Sequence, residues 1–151
     1  MLDDMDRRLL RYWQAEPSLS PGELADRCGM SSGKAARRLA RMEETGVVQG
    51  VAAVVNWAAL GYAVEVSLRV TLDKTQSTAF DSFLAEARRV PEVIEVQTFL
   101  GRVDVRLSVI ARDMAHYQEI YRRRILSLPH IADIEALMHV ARIKAEETLP
   151  L

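Results

Sequence analysis

The spacing of apolar and polar residues predicts three short helices in the first third of the chain. In the first, apolar side chains recur every three or four positions behind an aspartate that can cap the helix. A second helix is predicted to begin at Ser20, because Pro21 suits a first turn and Glu23 completes a capping box. The buried stripe of the third helix is predicted to consist of Ala35, Leu39 and Met42.

The turn before the third helix and the exposed face of that helix are typical of nucleic-acid binding. Gly29 suits the positive φ that so short a turn tends to need. No acidic residue occurs from Cys28 to Met42, so the outward face is basic and matches phosphates and guanine edges. An inert helical hairpin with a solvated basic face would give the same pattern. Gly46 predicts the end of the helix, and residues 47–55 predict a two-stranded wing.

Strict alternation of apolar and polar residues begins at Tyr62 and predicts a strand to Leu72. Helical spacing follows from Phe80 and ends near Val90-Pro91, where proline stops the helix. The remaining pattern predicts strands over 93–100 and 103–111, a helix over 113–125 and a strand over 131–143. This βαββαβ order predicts a ferredoxin-like α+β domain with both helices on one sheet face.

The other face of this sheet is predicted to be only partly polar. Its polar residues are Glu65, Ser67, Arg69, Gln97, Asp104, Arg106 and Glu135, and its apolar residues are Phe99, Ile110, Leu137 and Ile143. Such a mixed face predicts that a second copy of the chain covers it, since a monomer would leave the apolar side chains in water. We therefore expect a homodimer.

Short motifs with fixed spacing run along the whole chain. They include Leu2-Asp3 with Asp6 and Leu9-Leu10, Glu23-Leu24-Ala25 with Cys28-Gly29-Met30-Ser31, Arg37-Arg38-Leu39, Gly46-Val47-Val48, Leu60-Gly61-Tyr62, Val90-Pro91, Leu128-Pro129 and Thr148-Leu149-Pro150-Leu151. In order and spacing they resemble the Lrp/AsnC family of transcriptional regulators. The resemblance implies a helix-turn-helix domain over 1–50, a wing and linker over 51–61, and a ferredoxin-like effector-binding and oligomerisation domain over 62–151. In that family, dimers often join into octamers.

The basic helix and the resemblance together predict a sequence-specific regulator that binds double-stranded DNA as a dimer or larger oligomer. Two copies of the third helix would enter successive major grooves, so the operator is expected to be palindromic. The predicted DNA-binding residues are Ser31, Ser32, Lys34, Arg37, Arg38 and Arg41. A weakly specific DNA-packaging protein is the alternative, because the same basic face would serve it. A ligand-binding module with a vestigial hairpin is a third interpretation.

The resemblance also implies an amino-acid effector pocket beside the turn between the second and third strands. Gly101 and Asp104 match the family motif there, whereas Arg102 and Val105 depart from it, and Ala136 replaces a hydroxyl residue of the last strand. The predicted effector-binding residues are Gly101, Arg102, Asp104 and Ala136. The positive charge of Arg102 disfavours an amino-acid ammonium. Amino-acid binding, an anionic ligand and a solvated turn residue therefore stay open as alternatives.

The charge balance and the cysteine and histidine content exclude several classes of function. With 20 basic and 21 acidic residues, the chain is not generally polycationic, so contact with DNA must come from a local patch. The single cysteine, Cys28, excludes an internal disulfide and is predicted to be buried. His116, His130 and His139 lack metal-ligand spacing, and no nucleophile triad or phosphate loop is evident, so we expect no enzyme activity, metal or cofactor. Without a signal sequence or a long apolar run, the prediction is a cytoplasmic protein that does not bind membranes.

Overall fold

The computed structural model describes residues 1–151, which form two compact units. The N-terminal unit contains Met1–Val54 and Lys144–Leu151, and the C-terminal unit contains Val55–Ile143. The end of the chain, which the sequence places in the second domain, thus packs on the N-terminal unit in the structure. The reason is that the first helix binds this segment: Leu149 N donates to Gln14 Oε1 at 2.8 Å, and Arg11 Nε donates to Leu151 O at 2.7 Å.

The N-terminal unit consists of the three predicted helices. They are α1 (Asp4–Ala15), α2 (Pro21–Cys28) and α3 (Ser32–Glu44). The capping box of α2 forms as predicted, since Ser20 and Glu23 each accept a hydrogen bond from the other's backbone N–H. Gly29 ends α2 with φ 67°, as the short turn requires. The predicted stripe of α3 is buried, and burial raises the pKa of the Cys28 thiol behind it.

The two strands predicted for a wing do not form. Residues 47–55 contain no paired strand, and Val51, Val54 and Val55 are exposed. A lone two-stranded ribbon is marginally stable in water, and the N-terminal unit supplies no third strand to support one.

The C-terminal unit is an antiparallel four-stranded sheet with two helices on one face. Its elements are β1 (Val64–Leu72), α4 (Ala79–Ala87), β2 (Val93–Thr98), β3 (Val105–Ala111), α5 (Met114–Ile120) and β4 (Ile131–Met138). The strand order β2-β3-β1-β4 confirms the ferredoxin-like prediction. Its core joins strand residues such as Leu68 and Leu107 to Phe83 of α4 and Ile120 of α5.

The last helix reaches its predicted end at Ile125, whereas β4 ends earlier than the sequence predicts. α5 ends at Ile120 and continues as a π-helical turn over Tyr121–Ile125. β4 ends at Met138 because β1 is its only partner, and Met138 already pairs with Val66 near the start of β1. Ile143 therefore lies beyond the sheet and does not belong to its outer face, contrary to the prediction.

Apart from Asp104, which is buried, the rest of the outer face follows the expected alternation. The pairs are Glu65 with Ile110, Ser67 with Leu137, and Arg69 with both Arg106 and Glu135. Apolar and charged side chains thus share this face.

No helix in either unit is long and apolar enough to cross a membrane.

Candidate nucleic-acid interface

The first turn of α3 is exposed and lacks a side-chain cap. Capping boxes close α1 and α2, whereas the side chain of Ser31 accepts no backbone hydrogen bond at the start of α3. Ser31, Ser32 and Lys34 are all exposed there. Uncapped N–H groups at a helix N-terminus attract anions, because they lack intrahelical partners and carry the positive end of the helix dipole.

Two cations of α3 are free of intramolecular partners. Lys34 and Arg37 are exposed and form no ion pair with any carboxylate of the chain. They are three residues apart and therefore neighbours on the helix surface. Their charge is available to a ligand outside the chain.

The other two predicted DNA-binding cations are tied to α1. Arg38 Nη1 lies 2.7 Å from Asp6 Oδ1 and 2.7 Å from Asp3 Oδ2, and Arg41 Nη2 lies 2.6 Å from Asp6 Oδ2. The Arg38 side chain is only 19% exposed, whereas that of Arg41 is 51% exposed. Arg38 thus contacts both Asp3 and Asp6, and the sequence predicts it as a leading candidate for contact with DNA. Arg41 keeps solvent-facing donors.

Asp3 and Asp6 were not predicted as part of this surface. The hydrogen bond from Arg38 and then that from the Asp6 amide lower the pKa of Asp3 to about 2. The same contacts with Asp3 and Asp6 raise the pKa of Arg38. Asp3 and Arg38 therefore stay ionised at neutral pH, and their contact holds α3 against α1. In the sequence, Asp3 and Asp6 could be recognised as a capping pair of α1. Each carboxylate accepts one backbone hydrogen bond in that role and can accept further hydrogen bonds from basic side chains.

The four residues predicted to bind an effector do not come together. Gly101 and Arg102 line a groove of about 650 Å³ on the outer sheet face. Asp104 is turned away and buried, where it accepts a hydrogen bond from Leu72 N at 2.8 Å and pairs with Lys74 at 2.8 Å. Burial opposes ionisation of Asp104, but these two contacts together keep its pKa below the usual value. Ala136 pairs with Leu68 and so belongs to the opposite, helix-covered face.

The groove beside Gly101 and Arg102 is cationic. Its other lining residues are Arg69, Gln97, Phe99, Val103 and Arg106. Arg106 pairs with Glu95 at 2.9 Å and Arg69 lies 4.0 Å from Glu135, but Arg102 forms no ion pair. Since no acidic residue lines the groove, it offers no carboxylate to an amino-acid ammonium.

Family comparisons identify both units. Residues 2–49 match the family described as winged helix-turn-helix DNA-binding, and residues 65–149 match the Lrp/AsnC ligand binding domain. The chain is therefore a transcriptional regulator with a DNA-binding and a ligand-binding domain. It belongs to the Lrp/AsnC family.

Individual relatives agree with this assignment along most of the chain. The proline dehydrogenase transcriptional activator of Rhodobacter capsulatus is 33% identical over 87% of this chain and 86% of its own length. A transcriptional regulator from Neisseria meningitidis, solved as an L-Met complex, is 26% identical with a TM-score of 0.91, covering 99% of this chain and 97% of that one. An AsnC family regulator from Agrobacterium tumefaciens is 29% identical with a TM-score of 0.89, covering 99% and 97%. These relatives are named as regulators and give no support to the DNA-packaging alternative.

Proposed function

We propose that the protein recognises its operator through the N-terminal half of α3. The observation that carries this proposal is the pairing of the α3 cations: Lys34 and Arg37 are free, while Arg38 and Arg41 hold α1. Arg37 reads base edges in the major groove, because its planar fork matches guanine. Lys34 and the uncapped turn at Ser31 and Ser32 bind phosphate.

Arg38 and Arg41 have a different role in this proposal. By binding Asp6, whose side chain is fully buried, they set the angle at which α1 presents α3. Arg38 is therefore a positioning residue. Arg41, which is half exposed, adds a phosphate contact at the far end of the same face.

We also infer that two copies of the chain associate through the outer sheet face. Ile110 and Leu137 lie on this face among charged residues, which is typical of a surface that a partner covers. A two-fold dimer would present two copies of α3 about 34–36 Å apart, one helical turn of DNA, so the operator is an imperfect palindrome.

A small effector acts on the C-terminal unit in this proposal. The support is that the family describes this domain as ligand binding and that a similar structure contains L-Met. We assign the protein no catalytic role. We place it in the cytoplasm, where a transcriptional regulator meets DNA.

Binding to the DNA upstream of the protein's own gene tests the proposal. The full-length protein is titrated into that fragment and into unrelated DNA of equal length, over a series of salt concentrations. We expect selectivity of roughly a thousandfold or more. Affinity should fall steeply with salt, because the contacts to phosphate release counterions. Equal affinity for both fragments would contradict the proposal and favour DNA packaging.

A further inference from the structure

An exposed acidic residue lies beside the cations of α3. The Asp3 side chain is 53% exposed, and its Oδ2 atom lies 2.7 Å from Arg38 Nη1. On the surface of α3, Arg38 is four residues from Lys34 and three from Arg41, so it is a neighbour of both. Asp3 thus brings a solvent-exposed negative charge to the cations that face DNA in the proposed function.

The charge of Asp3 offsets that of Arg38. Hydrogen bonds from Arg38 and from the Asp6 amide hold the pKa of Asp3 at about 2, so Asp3 is ionised at neutral pH. Contacts with Asp3 and Asp6 raise the pKa of Arg38, which is ionised as well. All these contacts of Arg38 use Nη1, so Nη2 and Nε donate to no group of the chain. Arg38 therefore keeps donors for a phosphate, but the charge that would attract one is offset.

Affinity for unrelated DNA and affinity for an operator depend differently on such a charge. Binding to DNA of any sequence comes almost entirely from cations that neutralise phosphates. An operator adds base contacts that fix the register of α3, whereas a protein on unrelated DNA can slide until each free cation reaches a phosphate. A negative charge beside Arg38 therefore lowers affinity for unrelated DNA more than affinity for the operator. Specificity can be gained in this way, since it is a difference between two affinities.

We infer that Asp3 is a specificity-determining residue that keeps Arg38 from binding the phosphates of unrelated DNA. The buried Asp6 holds Nη1 of Arg38 at 2.7 Å, and the exposed Asp3 offsets the charge on the solvent side. The inference rests on the proposed function, in which α3 faces DNA. It adds a residue that acts by weakening binding to the wrong sequences.

Asp3→Asn and Asp4→Asn form a matched pair of variants. Each removes one negative charge from the start of α1, but Asp4 is exposed and forms no ion pair with any cation of the chain. Asparagine caps a helix as well as aspartate does, so Asp3→Asn preserves the hydrogen bond from the Asp6 amide. Denaturant unfolding shows that each variant has folded.

The affinities of the full-length variants for the upstream fragment and for unrelated DNA are measured over a series of salt concentrations. For Asp3→Asn we expect affinity for unrelated DNA to rise about threefold to tenfold, and affinity for the upstream fragment to change less than about twofold. On unrelated DNA, the slope of log affinity against log salt should steepen by about one per copy of the chain, because one more phosphate is neutralised.

Two controls show whether the effect passes through Arg38. Asp4→Asn should change both affinities less than about twofold, because it releases no arginine. In an Arg38→Gln background, Asp3→Asn should no longer raise affinity for unrelated DNA, since the cation that it would release is absent.

Two results would overturn the inference and leave the proposed function intact. If Asp3→Asn and Asp4→Asn raise affinity for unrelated DNA equally, only the net charge of the protein matters. If Asp3→Asn weakens binding to the upstream fragment and leaves unrelated DNA unchanged, Asp3 acts only through the structure of the N-terminal unit. A wild-type protein that does not select the upstream fragment would instead contradict the proposed function, and the inference with it.

Discussion

Asp6 connects the DNA-binding helix to the rest of the N-terminal unit. Its side chain is fully buried, yet each oxygen receives an arginine from α3, one from Arg38 and one from Arg41. A buried carboxylate is tolerated only when it is paired and hydrogen bonded in this way. Arg38 and Arg41 are thus paired within the chain, although a helical pattern alone would assign both to DNA.

Replacing Asp6 should destabilise the protein. In Asp6→Ala both arginines lose a charged partner, so we expect the free energy of unfolding to fall by about 1–3 kcal/mol. Denaturant unfolding of the full-length protein measures this change. Glu16→Ala, which removes an exposed ion pair with Arg27, is the control and should cost less than about 1 kcal/mol. Equal losses of unfolding free energy in the two variants would show that Asp6 stabilises the protein no more than an exposed ion pair does.

The Asp3–Arg38 contact should depend on pH. The pKa of Asp3 is about 2 in the folded protein, below the value of about 3.9 for an unfolded chain. Its stabilising effect is therefore complete above the unfolded pKa and is lost as the pH falls through about 2. The melting temperatures of wild type and Asp3→Asn should differ at pH 6 and converge near pH 2. A difference that persists unchanged at pH 2 would contradict this assignment.

At the scale of elements, the turn between α2 and α3 depends on backbone conformation. Gly29 has φ 67°, where any side chain is strained, even though a Cβ atom at this position would have no neighbour within 4 Å. Gly29→Ala should therefore lower the free energy of unfolding by about 1 kcal/mol. Gly33→Ala is the matched control, because Gly33 is helical with equally open surroundings and should be neutral or stabilising. Equal losses in the two variants would exclude backbone strain as the cause.

Local signals in the sequence were sufficient to predict most elements. Capping residues and apolar spacing predicted α1 to α3, strict alternation predicted β1, and the apolar pattern after it predicted the other three strands. The two paired strands predicted over 47–55 and the end of β4 were wrong because a strand needs a partner, and the pattern within one segment does not show where that partner ends. The ion pairs of Arg38 were not predicted for a similar reason: helical periodicity shows which face a cation occupies, but not that Asp3, 35 residues away, lies opposite it.

The sequence also did not show how the predicted effector-binding residues are arranged in the fold. The spacing of Gly101, Asp104 and Ala136 gave no indication that Asp104 turns towards Leu72 and Lys74 or that Ala136 occupies the other face.

At the scale of the whole molecule, the outer sheet face should control assembly. Leu137→Glu places a charge on that face and should convert a dimer to a monomer in sedimentation velocity, because the charge would be buried without a partner. Ala136→Glu is the control, since Ala136 is exposed on the other face of the same strand. It should leave the dimer intact. A dimer that survives Leu137→Glu would contradict the proposed interface.

The most direct test of DNA recognition is the selectivity of Arg37→Ala. Its affinities for the upstream fragment and for unrelated DNA are measured at one salt concentration, beside wild type and Arg89→Ala. Arg89 is an exposed arginine of the other unit that pairs with Glu86 and serves as the charge-matched control. We predict that Arg37→Ala loses about tenfold to a hundredfold in affinity for the upstream fragment and much less for unrelated DNA, while Arg89→Ala matches wild type. Unchanged affinity of Arg37→Ala for the upstream fragment would contradict recognition through the free face of α3.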